Sequence, residues 1–351
     1  MPSRNGRGGA VAQASSLMLL VLLAGGCVHV APLDETNWRS YRARFISGEG
    51  RVVDTGQGGI SHSEGQGYGL LLAAAHDDRA TFDKLWDWTK THLALREDAL
   101  LAWKWEPSKD GAGSGRVPDL NNASDGDLLV CWALLRAGRR FHEARYITAS
   151  RKISAAIRSE LIRQTPQGSV LLPGAQGFIR DDGIVVNLSY WVFPALEELY
   201  RAEHEPAFRA LERSGHKLLS HARFGRWNLP PDWLLVGEEL RPAPGFAPRF
   251  GYDALRIPLY LAWAGRRRDL LTPFLGYWHA QSAQDPAAWV DLVNDAQGEK
   301  ALPATAVLRA FSAVGEKIAP TEVIPPLDEE DYYSASLRLL VELAAHERMR
   351  R

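Results

Sequence analysis

Cysteine is scarce in this chain. It occurs twice in 351 residues, at Cys27 and Cys131. Two cysteines allow at most one disulfide, so a disulfide framework is excluded and core packing must supply the stability. Cys131 lies beside Trp132 in an apolar stretch, where we expect a small buried thiol.

The chain also lacks a strong charge of one sign and the common catalytic motifs. Its net charge is −1, and basic residues form only short runs such as 266–268, so no nucleic-acid-binding surface is predicted. The ten histidines form no His-Glu-x-x-His pair and no cysteine cluster exists, so no metal site is predicted. No Gly-x-Ser-x-Gly elbow occurs. Residues 65–69 (GQGYG) lack the spacing and the preceding strand of a dinucleotide-binding loop.

The N-terminal segment is typical of an export signal. Arg4 and Arg7 precede an apolar run over residues 17–24 that is too short to span a membrane. We therefore expect an export signal over residues 1–27 and a single domain over residues 28–351. The end of the signal resembles a bacterial lipobox, in which Cys27 would be lipidated after cleavage, although Ala24 stands where that motif prefers leucine. Plain cleavage near this point is the alternative.

Helical periodicity is the dominant pattern in the rest of the chain. The helices come in pairs joined alternately by short and long loops, with almost no convincing strands. One long loop, residues 100–120, carries Trp103, Trp105 and a glycine-rich run, and loops of this length are often functional. This pattern predicts an all-α fold, a closed toroid of helical hairpins with long loops that form a cleft at one end. The predicted helices cover residues 35–46, 63–75, 80–95, 125–138, 141–162, 191–201, 206–222, 252–264, 270–284, 304–314 and 333–350.

Two carboxylates fall at the start of the predicted helix at residue 125. Ser124 fits an N-cap, and Asp127 fits the acidic partner of a capping box. Asp125 and Asp127 would also complement the helix dipole. Taken alone, this stretch supports a structural and a functional interpretation about equally.

Glu64 lies at the start of an unusual helical segment, residues 63–69 (SEGQGYG), which we expect to begin with Ser63 as its cap. Each glycine in such a helix costs about 1 kcal/mol relative to alanine. A purely structural helix has little reason to carry that cost, whereas glycine lets another chain or a ligand approach the backbone closely. We therefore favour a functional role for Glu64.

Asp253 and Arg256 form the third candidate pair. They are three residues apart, so on a helix they share a face and can form an ion pair. An adjacent arginine lowers the pKa of a carboxyl and keeps it ionised, as a general base requires. The alternative is an ordinary salt bridge at a helix start, and Pro258 indicates that this helix kinks or starts late. Three acidic helix starts around one cleft suit glycoside hydrolysis, which needs one protonated carboxyl and one carboxylate.

Together these motifs resemble glycoside hydrolase family 8, and most of all its periplasmic endoglucanases that accompany bacterial cellulose synthase. The resemblance extends from about residue 35 to the C-terminus. It implies an (α/α)6 barrel fold and hydrolysis with inversion of configuration at the anomeric carbon. Val130 and Cys131 depart from the family signature, and we expect both to point into the helix packing. The matching segments are 63–69, 102–105, 123–127, 188–191, 230–233 and 252–256.

The resemblance implies a role for each matched position. Glu64 would be the proton donor, and Asp253 the base that activates water, with Arg256 holding it ionised. Asp125 matches the carboxylate that binds the distorted sugar at the cleavage point. An inverting mechanism has no covalent nucleophile, so Asp125 would position the sugar. Tyr190 matches a tyrosine near the catalytic water. Candidates for contact with glucose rings are Trp103, Trp105, Trp191 and Tyr68.

The implied activity is that of an endo-β-1,4-glucanase that cuts cellulose chains without a cofactor or a metal. We expect the protein to be exported, either to the periplasm or the outer membrane or out of the cell. Any attachment to a membrane would be through a lipid on Cys27 alone. Its expected partners are a β-1,4-glucan chain and the cellulose synthase and secretion complex. Two alternatives remain: a hydrolase of the same family acting on chitosan, xylan or mixed-linkage glucan, and a non-catalytic glucan-binding scaffold. The three carboxylates disfavour the scaffold, since binding alone needs no paired acid and base.

Overall fold

The computed structural model describes residues 33–108, 114–281, 287–300, 304–314 and 330–350. The predicted export signal and Cys27 lie outside these ranges. The described residues belong to one compact unit, Ala31–Arg351. Within the described ranges, no helix is both long and apolar enough to cross a membrane.

Eleven α-helices lie in the described part of the chain, in the places that the helical periodicity predicts. The clearest differences in bounds are at α5, which ends at Ala156, six residues earlier than predicted, and at α8, which begins at Arg256, four residues later than predicted. Its late start places Pro258 in the first turn, where proline is tolerated, and confirms the expectation drawn from that residue. The helices are α1 Glu35–Phe45, α2 Ser63–Ala75, α3 Arg79–His92, α4 Ser124–Arg140, α5 Ala144–Ala156, α6 Phe193–Glu203, α7 Pro206–His221, α8 Arg256–Ala264, α9 Thr272–Ala280, α10 Ala304–Val314 and α11 Tyr332–Met349.

Alternate helices close into a ring. Helix α2 packs on α4, α4 on α6, α6 on α8, α8 on α10, α10 on α11, and α11 again on α2. The other helices lie against this ring, with α3 on α2, α5 on α4, α7 on α6 and α1 on α11. More than half of the residues of α6 are buried, and in α8 every residue is buried. The predicted closed toroid of helical hairpins is thus observed.

The loops contain more strand than the sequence predicts. Twelve strands of two to five residues form four small antiparallel sheets among the described residues. Runs this short carry too little alternation of apolar and polar residues to be recognised, so the expectation of almost no strands is wrong. The strands are β1 Ser61–His62, β2 Lys104–Pro107, β3 Gly115–Arg116, β4 Ile162–Thr165, β5 Gly168–Leu171, β6 Ile179–Arg180, β7 Gly183–Val186, β8 Leu234–Val236, β9 Leu240–Pro242, β10 Arg249–Phe250, β11 Ala287–Asp291 and β12 Gln297–Lys300.

Helices α2 and α4 make the closest helix contact near the start of both. A Cβ added at Gly67 of α2 would lie 2.5 Å from Cβ of Leu129 in α4. A Cβ added at Gly126 of α4 would lie 2.1 Å from Oγ of Ser63 in α2. The glycines therefore allow two helix backbones to approach, and this approach brings the first turns of α2 and α4 together.

Both predicted serine caps are wrong, because this helix contact buries the two hydroxyls. Ser63 and Ser124 each occupy the first helical position, and neither Oγ has a hydrogen-bond partner among the described residues. His62 caps α2 instead, and the N–H of Ser124 donates to the carbonyl of Pro173 at 2.8 Å.

Asp127 is not a capping-box partner. Its Oδ1 accepts the backbone N–H of Leu101 at 2.8 Å, and its Oδ2 accepts Nδ2 of Asn122 at 2.7 Å. Asp127 therefore anchors the long loop before α4 to the first turn of that helix. On the same helix Val130 and Cys131 are completely buried, as expected.

Candidate active site

The site is built around the guanidinium group of Arg256, in the first turn of α8. Its Nη1 contacts Oε1 of Glu64 and lies 2.9 Å from Oδ2 of Asp125. Its Nη2 lies 3.0 Å from Oδ1 of Asp253 and donates to Oγ of Ser189 at 3.0 Å. Only 3% of the arginine side chain is exposed. The structure thus brings together the three carboxylates that the sequence singles out in three separate segments.

One positive charge faces three carboxyl groups here, which favours the retention of protons. Like charges in a buried site cannot all ionise without a large cost. Burial raises the pKa of Asp125 to about 8; the charges of Asp253 and Asp127 act in the same direction, while the N–H of Gly126 opposes them. The cluster can therefore hold a protonated and an ionised carboxyl together near neutral pH.

Asp253 lies just before α8, with 33% of its side chain exposed, so solvent reaches its carboxyl. Burial of the remainder, together with the charge of Asp232, raises its pKa to about 7, while hydrogen bonding from Asn187 and Trp233 lowers it. The expected ion pair with Arg256 is present, but the expected low pKa is wrong because desolvation outweighs the arginine. A pKa near 7 suits a general base that works close to neutral pH.

Glu64 lies in the first turn of α2, with 17% of its side chain exposed. Tyr68, one turn later, donates from Oη to Oε1 of Glu64 at 2.6 Å. The tyrosine is completely buried, and its hydroxyl also lies 3.3 Å from that of Tyr260. The predicted sugar contact of Tyr68 is therefore wrong. Its buried hydroxyl instead orients the carboxylate of Glu64.

His62 and Asp54 fix the helix start that carries Glu64, and the sequence reasoning missed both. Nδ1 of His62 accepts the N–H of Gly65 at 3.0 Å and lies 3.9 Å from Oε2 of Glu64. Since Nδ1 is an acceptor, the proton of the neutral ring lies on Nε2, 3.2 Å from Oδ2 of Asp54. Burial acts to raise the pKa of Asp54, but hydrogen bonds led by that of His62 lower it overall. A histidine directly before the glycine-rich helix is the signal that could have identified this pair.

Two of the three candidate tryptophans belong to the core. Trp191 is completely buried and donates from Nε1 to a backbone carbonyl of α7 at 3.0 Å. Trp105 is 4% exposed and packs edge-on against Trp88. Neither ring can stack on a sugar, so both predictions are wrong. Trp103 is half-buried, with Nε1 3.1 Å from Oδ2 of Asp119, and its contact with a sugar stays a prediction.

Tyr190 lies over the catalytic cluster. Cζ of Arg256 is 5.6 Å from the centre of its ring. Burial, followed by the charges of Asp125 and Asp253, raises its pKa far above the usual value, so the phenol stays protonated and can donate. Its ring meets Trp233 edge-on, and the rings of Phe178 and Phe246 stack on that indole.

A cavity of about 380 Å³ opens beside the cluster, of a size that admits part of a sugar chain. Among the residues described, no group of three or more His, Cys, Asp or Glu side chains is arranged to hold a metal ion. The cavity is lined by Asp54, Gly56, Gln57, His62, Glu64, Tyr252, Asp253, Arg256, Asp331 and Tyr333.

Comparison with known proteins places the chain among one group of enzymes. The sequence model of the glycosyl hydrolases family 8 matches residues 11–347. A probable endoglucanase of Novacetimonas hansenii is 40% identical over 319 residues, which cover 88% of this chain and 90% of that protein. An endoglucanase of Cellulomonas uda is 37% identical over 260 residues, with coverage of 74% and 71%. The solved structure of endo-β-1,4-glucanase CMCax from Acetobacter xylinum superposes with a TM-score of 0.82 at 40% identity, covering 89% of this chain and 98% of that one.

Proposed function

This chain belongs to glycosyl hydrolase family 8, and from that we propose that it trims cellulose chains beside a bacterial cellulose synthase. It has the (α/α)6 fold of the family and is an inverting endo-β-1,4-glucanase. The observation that supports the site assignment best is the contact of one guanidinium, on Arg256, with the carboxylates of Glu64, Asp125 and Asp253.

The proposed mechanism uses the two more exposed carboxyls. Glu64 in its protonated form donates to the glycosidic oxygen as the bond to the anomeric carbon breaks. Asp253 in its ionised form takes a proton from the water that attacks the opposite face of that carbon. One proton leaves the acid and one reaches the base, so both groups must exchange with solvent before the next turnover. Asp125, 3% exposed beneath Arg256, positions the cluster and the sugar at the cleavage point.

The two reacting carboxyls can be tested by isosteric substitution. We expect Glu64→Gln and Asp253→Asn each to lower the hydrolysis of carboxymethylcellulose at least about a thousandfold, because each removes a proton-transfer group. Matched substitutions of exposed carboxylates, Glu49→Gln and Asp87→Asn, should leave the rate unchanged. Thermal unfolding within a few degrees of the wild type would show that the inactive variants are folded. Near-normal rates in either site variant would contradict the assignment.

The substrate can be established by a panel of soluble polysaccharides. We expect carboxymethylcellulose to be cut with a rapid fall in viscosity, since an endo-acting enzyme breaks chains internally. Chitosan, xylan and mixed-linkage glucan should be cut at least about tenfold more slowly, as expected when pocket contacts to the substrate are lost. A faster rate on any of these three would replace cellulose as the substrate.

We propose that the enzyme is exported and tethered by a lipid on Cys27. The support is the order of a basic segment, a short apolar run and a cysteine at the N-terminus. A single acyl-modified cysteine holds a protein at a membrane surface without spanning it. Cells that express the chain with a labelled fatty acid should yield labelled protein in the membrane fraction, and Cys27→Ser should abolish the label. Labelling that survives the substitution would contradict the anchor.

A further inference from the structure

Asp232 is a buried carboxylate that the proposed mechanism does not use. Only 5% of its side chain is exposed. Its Oδ1 accepts the backbone N–H groups of Gly251 and Ala254, both at 2.9 Å. These two donors lie on either side of Asp253 in the sequence. A single carboxylate oxygen therefore holds both ends of the turn that carries the proposed base.

The surroundings of Asp232 leave it little freedom. Its own N–H donates to the carbonyl of Arg249 at 2.7 Å, and its Oδ2 lies 3.2 Å from Nε of the same arginine. Arg249 belongs to β10, where it pairs with Asp291 of β11. A Cβ added at Gly251 would lie 3.0 Å from Oδ2 of Asp232, so the turn approaches the carboxylate as closely as glycine permits. The aspartate is thus fixed on a small sheet and in turn fixes the catalytic turn.

We propose that Asp232 is a positioning residue for the general base: it holds the turn of Asp253 in place, and its negative charge strengthens Asp253 as a proton acceptor. The inference rests on the proposed role of Asp253. It extends the site to a residue that touches neither the sugar nor the attacking water.

The pKa of Asp253 depends on the charged groups that face it, including Asp232. Arg256 and Arg249 favour the ionised form of Asp253, whereas Asp232 and Asp125 disfavour it. After burial, Asp232 is the strongest influence that raises the pKa of Asp253. Burial also raises the pKa of Asp232, whereas the N–H groups of Ala254 and Gly251 and the charge of Arg249 favour its ionised form. Removing this negative charge stabilises the ionised base, which lowers its pKa and weakens its affinity for a proton. The uncharged groups facing Asp253 are Asn187, Tyr190, Trp233 and Tyr333.

The substitution Asp232→Asn separates charge from geometry. The amide oxygen can still accept both backbone N–H groups, while the charge and the contact of Oδ2 with Nε of Arg249 are lost. We expect the acid limb of the pH profile of kcat/KM to move about one unit lower. On the plateau kcat should fall about three- to tenfold, since a weaker base transfers the proton less readily, and KM should change less than about twofold.

The substitution Asp232→Ala removes the acceptor as well. We expect a further fall in kcat of about tenfold or more that no change of pH restores, because the turn of Asp253 is no longer held. Both variants are to be compared with wild type by hydrolysis of carboxymethylcellulose between pH 4 and 9 and by thermal unfolding, at ~25 °C for the rates.

The possible results separate this inference from the proposed function. An unchanged acid limb and plateau in Asp232→Asn would overturn the role of the charge, and this holds even if Asp232→Ala does not fold. Full activity of Asp253→Asn would overturn the assignment of the base itself, and the inference with it. An inactive Asp253→Asn, beside Asp232→Asn and Asp232→Ala variants that are both indistinguishable from wild type, would leave the proposed function intact and reject only the positioning role.

Discussion

At the scale of single residues, the site depends on the planar guanidinium of Arg256. Two of its nitrogens contact carboxylates from three segments, with Oδ2 of Asp125 at 2.9 Å and Oδ1 of Asp253 at 3.0 Å. An arginine presents donors in a fixed fork, whereas a lysine ammonium is a compact point charge on a flexible stem. No lysine can reproduce these contacts simultaneously.

Replacing this arginine by lysine should therefore abolish the arrangement while the positive charge is kept. We expect Arg256→Lys to lower kcat on carboxymethylcellulose at least about a hundredfold, because misplaced catalytic groups lose that much. Arg140→Lys is the matched control, since Arg140 is 61% exposed and forms its one ion pair within the described ranges with Asp77. Equal losses in both variants would show that the fork geometry of Arg256 is irrelevant.

The raised pKa of Asp253 predicts the pH dependence of the reaction. A general base works only when deprotonated, so activity must fall as the pH drops through its pKa. Because this pKa is about 7 rather than that of an ordinary aspartate, the acid limb of kcat/KM should lie near neutral pH. The limb can be measured from initial rates in overlapping buffers. A limb near pH 4 would show that Asp253 titrates as an unperturbed carboxyl.

The sequence identifies reacting residues better than the residues that support them. Glu64, Asp125 and Asp253 meet as predicted because helix starts and glycine spacing mark them. Asp232 received no role, although segment 230–233 matches the family, because its contacts with the N–H groups of Gly251 and Ala254 depend on the tertiary fold. His62 was missed although it lies directly before the glycine-rich helix. Trp105, Trp191 and Tyr68 were misassigned because the sequence gives no measure of burial for an individual aromatic ring.

At the scale of the elements, the glycines of α2 explain how two acidic helix starts meet. Each glycine lies against a different neighbour: a Cβ at Gly65 would lie 2.6 Å from Oη of Tyr332, and one at Gly69 would lie 2.9 Å from Val52. Gly67 faces α4 itself. The cost of three glycines in one helix is thus offset by close packing on three sides, and the ligand that the sequence left open as an explanation is not needed.

An added methyl group at Gly67 tests this packing. We expect Gly67→Ala to lower the free energy of unfolding by about 1–3 kcal/mol through overpacking against Leu129. It should also lower kcat, because α2 and α4 must move apart and carry Glu64 away from Asp125. Denaturant unfolding and hydrolysis rates measure the two effects.

Gly276 provides the matched control for this substitution. It lies within α9, and a Cβ there would meet nothing within 4 Å. Gly276→Ala should therefore raise stability by up to about 1 kcal/mol, the helix propensity gain, with unchanged kcat. A Gly67→Ala variant that behaves like this control would contradict the account of the α2–α4 contact.

The helices were predictable and the short strands were not, for a simple reason. A helix of fourteen residues such as α3 repeats its apolar pattern several times, whereas β1 has two residues. Strand β1 exists because Ser61 and His62 pair with Trp105 and Lys104 far along the chain. Such pairing is set by tertiary structure and leaves no local signature.

At the scale of the whole molecule, a buried ion cluster joins α1 and α11, the first and last helices of the described chain. The side chain of Arg338 in α11 is 2% exposed and contacts Glu330 and Glu342 at 3.0 Å each. Glu342 also accepts Nδ2 of Asn37 in α1 at 2.9 Å. This polar network fixes α1 and Glu330 against α11, a ring helix that also packs on α2 and α8.

Breaking that cluster should loosen the closed ring. We expect Arg338→Met to lower the free energy of unfolding by about 3–5 kcal/mol, because it leaves two buried glutamates without their cation. Lys90→Ala, which removes an ion pair whose lysine side chain is 48% exposed, should cost about 1 kcal/mol or less. Denaturant unfolding of both variants is the measurement. Similar small losses would show that the cluster contributes little to closure.

The central claim is that Glu64 and Asp253 act on opposite faces of the sugar in one displacement, and the anomeric form of the first product tests it most directly. A short β-1,4-linked glucan is hydrolysed in an NMR tube and the new anomeric proton is followed before mutarotation. We predict that the α-anomer forms first, since a water activated by Asp253 inverts the β-linkage. First appearance of the β-anomer would contradict the account.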